Sequence, residues 1–533
     1  MTDTKTQTYA LNEIEIFDTT LRDGSQSSDV NFSIYDKIEL VKVLDDFGID
    51  YIELGWPGSN PKDIQSFKEV QKLTLRNSKI VAFGSTKRIG ITAKDDSNLN
   101  AIIESNAKIA CIFGKTWIEH ITKQLNTNPE QNLKSISESI RFLTKHNLRV
   151  IYDLEHFFEG FKGDKDYALK CIEIAYESGA DTLVMCDTNG GTLPSDIREI
   201  ILQVNEFLKR KRLSPHLGIH THNDSGFGVA NAIEAVNLGI HHVQGTINGL
   251  GERTGNADLC QIIPILKLKM GLKLDKIELN KLTKISRLAY TLANIKPYDR
   301  QPFVGKSAFA HKGGVHVDAV MKGASYEHIT PELVGNKRDI VLSDLSGRAT
   351  IVEVAKKFGY DVKKDEPKVA EMLKKVELME RQGYDIGTLK AEHYLLVEEF
   401  LGKNKSPFSI DSWEIISKHE ECEDSTCNLK GKMGSKIIKE TATAKGGPVD
   451  AAYKSLQKLI AKYYTNIYTI KLVNYKVMIA EEKGAESTVR VYIEFKNGNE
   501  EWATVGVNQN ILTASIEAVE KGFRYYLMKY QKI

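Results

Sequence analysis

No apolar run in these 533 residues reaches the length that a bilayer span requires. The opening stretch, Met1 to Ala10, is polar and holds no signal-peptide core. Cysteine is scarce and scattered. Cys111, Cys171, Cys186 and Cys260 fall in apolar stretches and are expected as reduced core residues, while Cys422 and Cys427 lack the second pair or nearby histidine of a zinc site. A disulfide-built secreted domain is therefore not expected, and a cytoplasmic location is. An excess of charge of either sign is missing too, with 72 Lys+Arg against 71 Asp+Glu. That balance argues against a nucleic-acid-coating protein and against an acidic solvating one, leaving only local basic patches toward a phosphorylated cofactor. No glycine-rich dinucleotide fingerprint follows the first β-like run, which weighs against a doubly wound nucleotide-binding sheet.

What is present is a long chain with 41% apolar residues, enough for two or three domains with sizeable cores. Over residues 1–273, β-like runs alternate with amphipathic helical patterns. The runs are Ile14–Phe17, Tyr51–Leu54, Ile80–Phe83, Ile109–Phe113, Arg149–Tyr152, Thr182–Cys186, Leu217–Thr221 and Val243–Ile247. Eight such units predict an α/β fold of the (β/α)₈ TIM-barrel type. Residues 274–403 are mostly helical and are expected to form linker subdomains. Residues 404–533 mix strand-like runs (Phe408–Ile416, Val477–Ala480, Val489–Phe495, Trp502–Val507) with helices starting near Pro448 and Ile511. A strands-then-helix unit used twice predicts a C-terminal α+β domain with internal pseudo-symmetry.

In a barrel, the C-terminal strand ends carry the chemistry. The run Phe17–Gln26 (FDTTLRDGSQ) sets Arg22 beside Asp23 just after the first strand. An acid there can hold a divalent metal, and a guanidinium can bind a developing oxyanion. His220 and His222 are two apart on a strand and so share a face. With Asp23 from the opposite wall they offer a carboxylate and two imidazoles, which suits Mn²⁺, Mg²⁺, Zn²⁺ or Co²⁺. Asn256 can add an amide oxygen, or be a turn residue among its glycines. Arg22 can equally be an ion-pair partner of Asp23 or Asp187. Glu155 faces the mouth if Ile151 and Asp153 do, where it can polarise or deprotonate a substrate or anchor a neighbour. Thr188 can hydrogen-bond a carboxylate ligand or cap the turn before Pro194. His311 lies outside the eight-strand set. It can be a proton carrier, histidine being the side chain that changes charge near neutrality, or a structural residue at a helix end.

Four segments in this order resemble the acyl-CoA Claisen-condensing metalloenzymes, the isopropylmalate, homocitrate and citramalate synthases. They are FDTTLRDGSQ (17–26), LGIHTHND (217–224), NGLGERTGN (248–256) and SAFAHKGGVH (307–316). Lyases of the wider superfamily share the first two but carry a cysteine in the loop that here reads NGLGERTGN. Residues 326–349 and 500–519 extend the resemblance through the C-terminus, toward the longer citramalate-forming branch. The resemblance implies condensation of acetyl-CoA with pyruvate and hydrolysis to (R)-citramalate and CoA, a route into isoleucine synthesis that bypasses threonine. It implies Asp23, His220, His222 and Asn256 as metal ligands and Arg22 on the keto oxygen or forming oxyanion. It further implies Glu155 facing the acetyl group and Thr188 on the keto-acid carboxylate, with His311 and Tyr326 as support reaching the partner subunit of a homodimer. Feedback inhibition by isoleucine through the C-terminal domain is implied as well. The stretch Ala82-Phe83-Gly84-Ser85 is expected as a loop after the third strand, with Phe83 setting the volume of the keto-acid pocket or else packing the barrel. The nearest alternative is an isopropylmalate synthase acting on 2-oxoisovalerate. The alternative from another class is a non-catalytic amino-acid sensor.

Overall fold

The computed structural model describes residues 14–311, 327–402, 406–418, 424–481, 484 and 487–530. The chain divides into two compact units, residues up to 309 with 329–337, and the remainder.

The first unit is a closed barrel of eight parallel strands in sequential order. They are β1 (Glu15–Asp18), β2 (Tyr51–Gly55), β3 (Lys79–Ser85), β4 (Ile109–Lys115), β5 (Arg149–Glu155), β6 (Thr182–Asp187), β7 (His216–Thr221) and β8 (His242–Gly245). Both faces of each strand are covered, which is why they read as near-continuous apolar runs rather than alternating ones. Alternation decides what each side chain meets. Val150, Tyr152 and Leu154 of β5 pack outward with the helices, while Ile151 packs inside with Phe17, Val81, Phe83, Cys111, Val184 and Cys186. Asp153 and Glu155 are in phase with Ile151, and His220 is out of phase with the outward Leu217 and Ile219.

Helix starts follow capping chemistry. Ser33 and Asp36 form a reciprocal capping box, and Asn60-Pro61 and Asn128-Pro129 place a capping amide before a first-turn proline. The first helix, Ile34–Phe47, ends on Gly48 at φ +102°, where a Cβ would meet the Lys276 carbonyl oxygen at 2.1 Å. Ala82–Ser85 belong to β3 itself, so the expected loop is strand. The sheet there is continued by pairing of Ala82 to Ser85 with β4.

At the opposite end of the barrel, first residues of several strands form a polar plug. Tyr51 donates to Glu15 at 2.7 Å, Arg149 donates to Tyr51 at 2.6 Å, and His242 Nδ1 lies 3.2 Å from Glu15. Burial would raise the Glu15 carboxyl, but the bonds from His242 and Tyr51 outweigh it and hold it at about 2, against an ordinary 4.5. Its folded-state value is depressed, so its stabilising contribution is present above pH 4.5 and disappears as pH falls from there toward 2. Glu15→Gln is therefore expected to melt below the wild type at pH 7, with the gap in melting temperature closing between those two values.

The second unit contains the expected repeat. Strands Phe408–Ser417, Ser425–Met433 and Lys436–Ala444 form one antiparallel sheet, followed by the helix Pro448–Ala461. Strands Lys471–Glu481, Thr488–Asn497 and Glu500–Asn508 form another, followed by the helix Ile511–Tyr530. Both helices share a core with both sheets, through Leu456, Leu459, Phe495, Trp502 and Phe523. The second and third strands of the first sheet, Ser425–Met433 and Lys436–Ala444, are not among the expected runs. Their outward positions carry Lys and Thr, so only half of each strand looks apolar. Helices Arg348–Lys357, Pro367–Arg381 and Lys390–Phe400 precede this pair. Among the described residues, no helix is long and apolar enough to cross a membrane.

Candidate active site

The turn after β1 is fixed by its own short side chains. Asp18, fully buried, accepts from the backbone N–H and the hydroxyl of Thr20, and that hydroxyl accepts from Ile247 N–H at 2.8 Å, tying the turn to the segment after β8. Thr19 N–H donates to Gly245 O at 2.9 Å, and its hydroxyl donates to Glu53 at 2.6 Å. This scaffold aims Arg22 inward. Its Nε donates to Glu53 at 2.6 Å, its Nη1 lies 3.3 Å from Asp23, and its guanidinium sits 3.7 Å above the Phe83 ring. Cation–π contact and a buried carboxylate together hold one orientation.

Asp23, His220 and His222 come together as the alternation of β7 requires. Asp23 Oδ2 lies 3.4 Å from His220 Nε2 and 3.7 Å from His222 Nε2, and the three donor atoms lie within 4.8 Å of one another. All three residues are buried. Burial would raise the Asp23 carboxyl, but Arg22 first and His220 next hold it far below the usual carboxylate range. Burial, then the neighbouring His220, lowers His222 to about 4. Behind His220, Gln244 donates to Asp153 at 3.2 Å, which turns its amide oxygen toward His220 Nδ1 at 2.8 Å. Nδ1 therefore carries a proton, and Nε2 is the ring nitrogen turned toward Asp23, the one that would serve a metal once it gives up its own proton. Asn256 faces His222 across an isolated antiparallel bridge and donates to Leu250 O at 3.2 Å. Its Oδ1 is buried and has no hydrogen-bond partner among the described residues. Gly251 makes room for it, since a Cβ there would lie 2.3 Å from Asn256 Nδ2. One carboxylate, two imidazole nitrogens and an orphaned amide oxygen form a donor set that fits a divalent cation.

Other expected site residues divide between the two units. Thr188 follows β6. Its hydroxyl accepts from His156 N–H at 2.8 Å and its carbonyl accepts from Arg253 at 2.9 Å. Glu155 closes β5, ion-paired to Lys115 at 2.5 Å. Phe83 lies inside the barrel against Phe113 and Trp56 at ring separations of 5.5 and 5.3 Å. His311 belongs to the second unit, where Ala310–His311 pairs with Asp339–Ile340 and His311 Nε2 lies 3.0 Å from Glu327. Tyr326 lies outside the described residues. Glu53, Asp153, Gln244 and Arg253 were not anticipated as site residues. Glu53 carried a visible signal, a lone charge inside the apolar run Tyr51-Ile52-Glu53-Leu54. Arg253 sits in the NGLGERTGN segment and bonds Asp224 as well as Thr188.

An HMGL-like family model matches residues 13–289, a homocitrate synthase post-HMGL domain-like model matches 303–383, and a LeuA allosteric (dimerisation) domain model matches 389–527. The (R)-citramalate synthase of Geobacter sulfurreducens is 44% identical over 98% of this chain and 98% of its own length. The chain belongs to the (R)-citramalate synthase family. Another of its members, from Sulfolobus acidocaldarius, is 42% identical over 96% of this chain and 97% of its own. The 2-isopropylmalate synthase of Methanocaldococcus jannaschii is more distant, at 30% identity over 98% and 96%. Membership makes this an enzyme of the acyltransferase type, with an allosteric domain of the LeuA kind at its C-terminal end.

Proposed function

We propose that the barrel mouth condenses acetyl-CoA with pyruvate and hydrolyses the product thioester, releasing (R)-citramalate and CoA. The carrying observation is the buried Asp23–His220–His222 cluster with Arg22 fixed beside it, in a chain whose close relatives are (R)-citramalate synthases. Asp23, His220, His222 and Asn256 would hold a divalent cation, which polarises the keto carbonyl and takes up negative charge. Arg22, oriented by Glu53, binds the keto oxygen as it becomes an alkoxide. Thr188 donates its hydroxyl to the keto-acid carboxylate. Glu155 or His311 removes a methyl proton of the acetyl group, and the resulting carbanion attacks the keto carbon. Water then adds to the thioester carbonyl and CoA leaves as the thiol. Deuterium exchange into the acetyl methyl, measured with Glu155→Gln and with His311→Gln, identifies the base as the residue whose loss stops it.

The C-terminal domain supports two further readings, a homodimer in which His311 and Tyr326 serve the partner's site, and feedback inhibition by isoleucine. The test of the whole proposal is a thiol-release assay over a keto-acid panel, with and without isoleucine and chelator. Pyruvate is expected as the best acceptor, and 2-oxoisovalerate would point to the isopropylmalate reaction. No metal-dependent turnover with any short keto acid would favour a non-catalytic sensor.

The aromatic group of Trp56, Phe83 and Phe113 favours a small acceptor. Phe83→Ala is expected to shift kcat/KM from pyruvate toward 2-oxoisovalerate by ~10–200-fold, the range a single methylene commands in an apolar pocket. An unchanged ratio would confine Phe83 to packing and to holding Arg22.

A further inference from the structure

His156 stands between the fifth strand and the next helix in a conformation that side-chain-bearing residues avoid. Its φ is +56° and its ψ is 39°, the left-handed region. Nothing about the following helix demands histidine at this point, since glycine or asparagine fills such a position more easily. The side chain is buried, its ring centroid 4.2 Å from that of His120 and 5.8 Å from that of Trp117. Among the described residues its Nδ1 makes no hydrogen bond, and Glu159 Oε2 stands 3.8 Å away, beyond hydrogen-bonding reach. The ring is uncharged at neutral pH, because burial first, and then electrostatic repulsion from His120 and Lys115, lower it to about 3. It is packed rather than bonded, and so acts as an anchor.

That anchor fixes a backbone donor. In the left-handed turn, His156 N–H meets Thr188 Oγ1 at 2.8 Å. The bond occupies an acceptor position on the hydroxyl, and among the described residues none accepts the hydroxyl's own proton. On the other side, Arg253 holds the Thr188 carbonyl at 2.9 Å and lies 3.2 Å from His222 Nδ1. Thr188 is thus gripped from the fifth strand and from the loop after the eighth, which leaves its hydroxyl proton free for a ligand.

We infer that His156 is a positioning residue, whose left-handed backbone orients the Thr188 hydroxyl to donate to the keto-acid carboxylate. The inference rests on the proposed role of Thr188. Strained residues at functional sites persist where the surroundings over-determine them, and the His120–Trp117 packing supplies that here.

Substitutions separate backbone from ring. All four variants lose the imidazole, but His156→Asn and His156→Gly enter the left-handed turn readily, whereas His156→Gln and His156→Ala disfavour it once the packing that enforces it is gone. Gln and Ala are expected to raise the KM for pyruvate ~10-fold, the worth of one hydrogen bond, with kcat little changed. Asn and Gly are expected to stay within ~3-fold of wild type, the left-handed turn being open to both. In a Thr188→Val background, His156→Gln is expected to add nothing further. The Asn–Gln pair differs by one methylene and serves if the alanine variant does not fold. Asn and Gly variants as impaired as Gln and Ala would assign the effect to the ring and overturn the inference, as would additive effects with Thr188→Val or a wild-type KM in all four. An unchanged pyruvate KM in Thr188→Val alone would remove Thr188 from keto-acid binding. That outcome is distinct, because it appears with His156 intact.

Discussion

Arg22→Ala is expected to release CoA ~10²–10³-fold more slowly than the wild type, the usual consequence of deleting one group that stabilises a developing oxyanion. The expectation follows from how the side chain is held. Its Nε is committed to Glu53, its face to Phe83, and its Nη1 edge is turned to Asp23. A lysine cannot make the planar contact and the ion pair together, so Arg22→Lys should recover little. Removing the arginine also leaves Glu53, which has no exposed surface, without its cation, at a cost of up to ~3–5 kcal/mol, the range for breaking a buried pair. The double variant Arg22→Ala/Glu53→Gln is expected to regain that stability in a thermal melt while staying inactive. Near-normal CoA release from either variant would take Arg22 out of the mechanism.

Chelation is expected to bring turnover to background and a divalent cation to restore it, while His220→Ala should stay inactive whatever is added back. Elemental analysis gives an independent readout, with about one cation per protomer in the wild type and none retained by His220→Ala after dialysis. Gln244→Leu should fall between them. It keeps the three donors but releases the His220 tautomer and ring orientation, and partners of this kind are commonly worth ~10–100-fold in metal affinity. Full activity in the chelated enzyme would sink the metal site.

Much of this site could be read from residue order alone. Period-two alternation is rigid in a strand, so His220 and His222 had to share a side once their run was taken as β. Asp23 joined them because barrel closure sets β1 beside β8 with β7 next beyond, so the donors come from strands two apart and not, as expected, from opposite walls. The supporting residues were harder to see. Gln244 and Asp153 look like ordinary polar residues in strands, and their role exists only through the distances they make with His220. The expected loop at residues 82–85 is strand, because Gly84 and Ser85 read as turn formers unless their pairing with β4 is known. In the C-terminal unit, the Lys- and Thr-bearing strands at 425–444 escaped notice for the same reason: their apolar half is revealed only by the helix that covers it.

The bond from Ile247 N–H to Thr20 joins residues 227 apart in the chain. On a ribosome adding 5–20 residues each second, ~10–50 s separate the emergence of its two ends. For most of that interval Asp23 and Arg22 are already outside the exit tunnel, while His220 and His222 have not yet followed them. A nascent chain could therefore not grip the proposed cation until the last stave is laid, and such an ion would arrive as a late guest rather than as a folding nucleus.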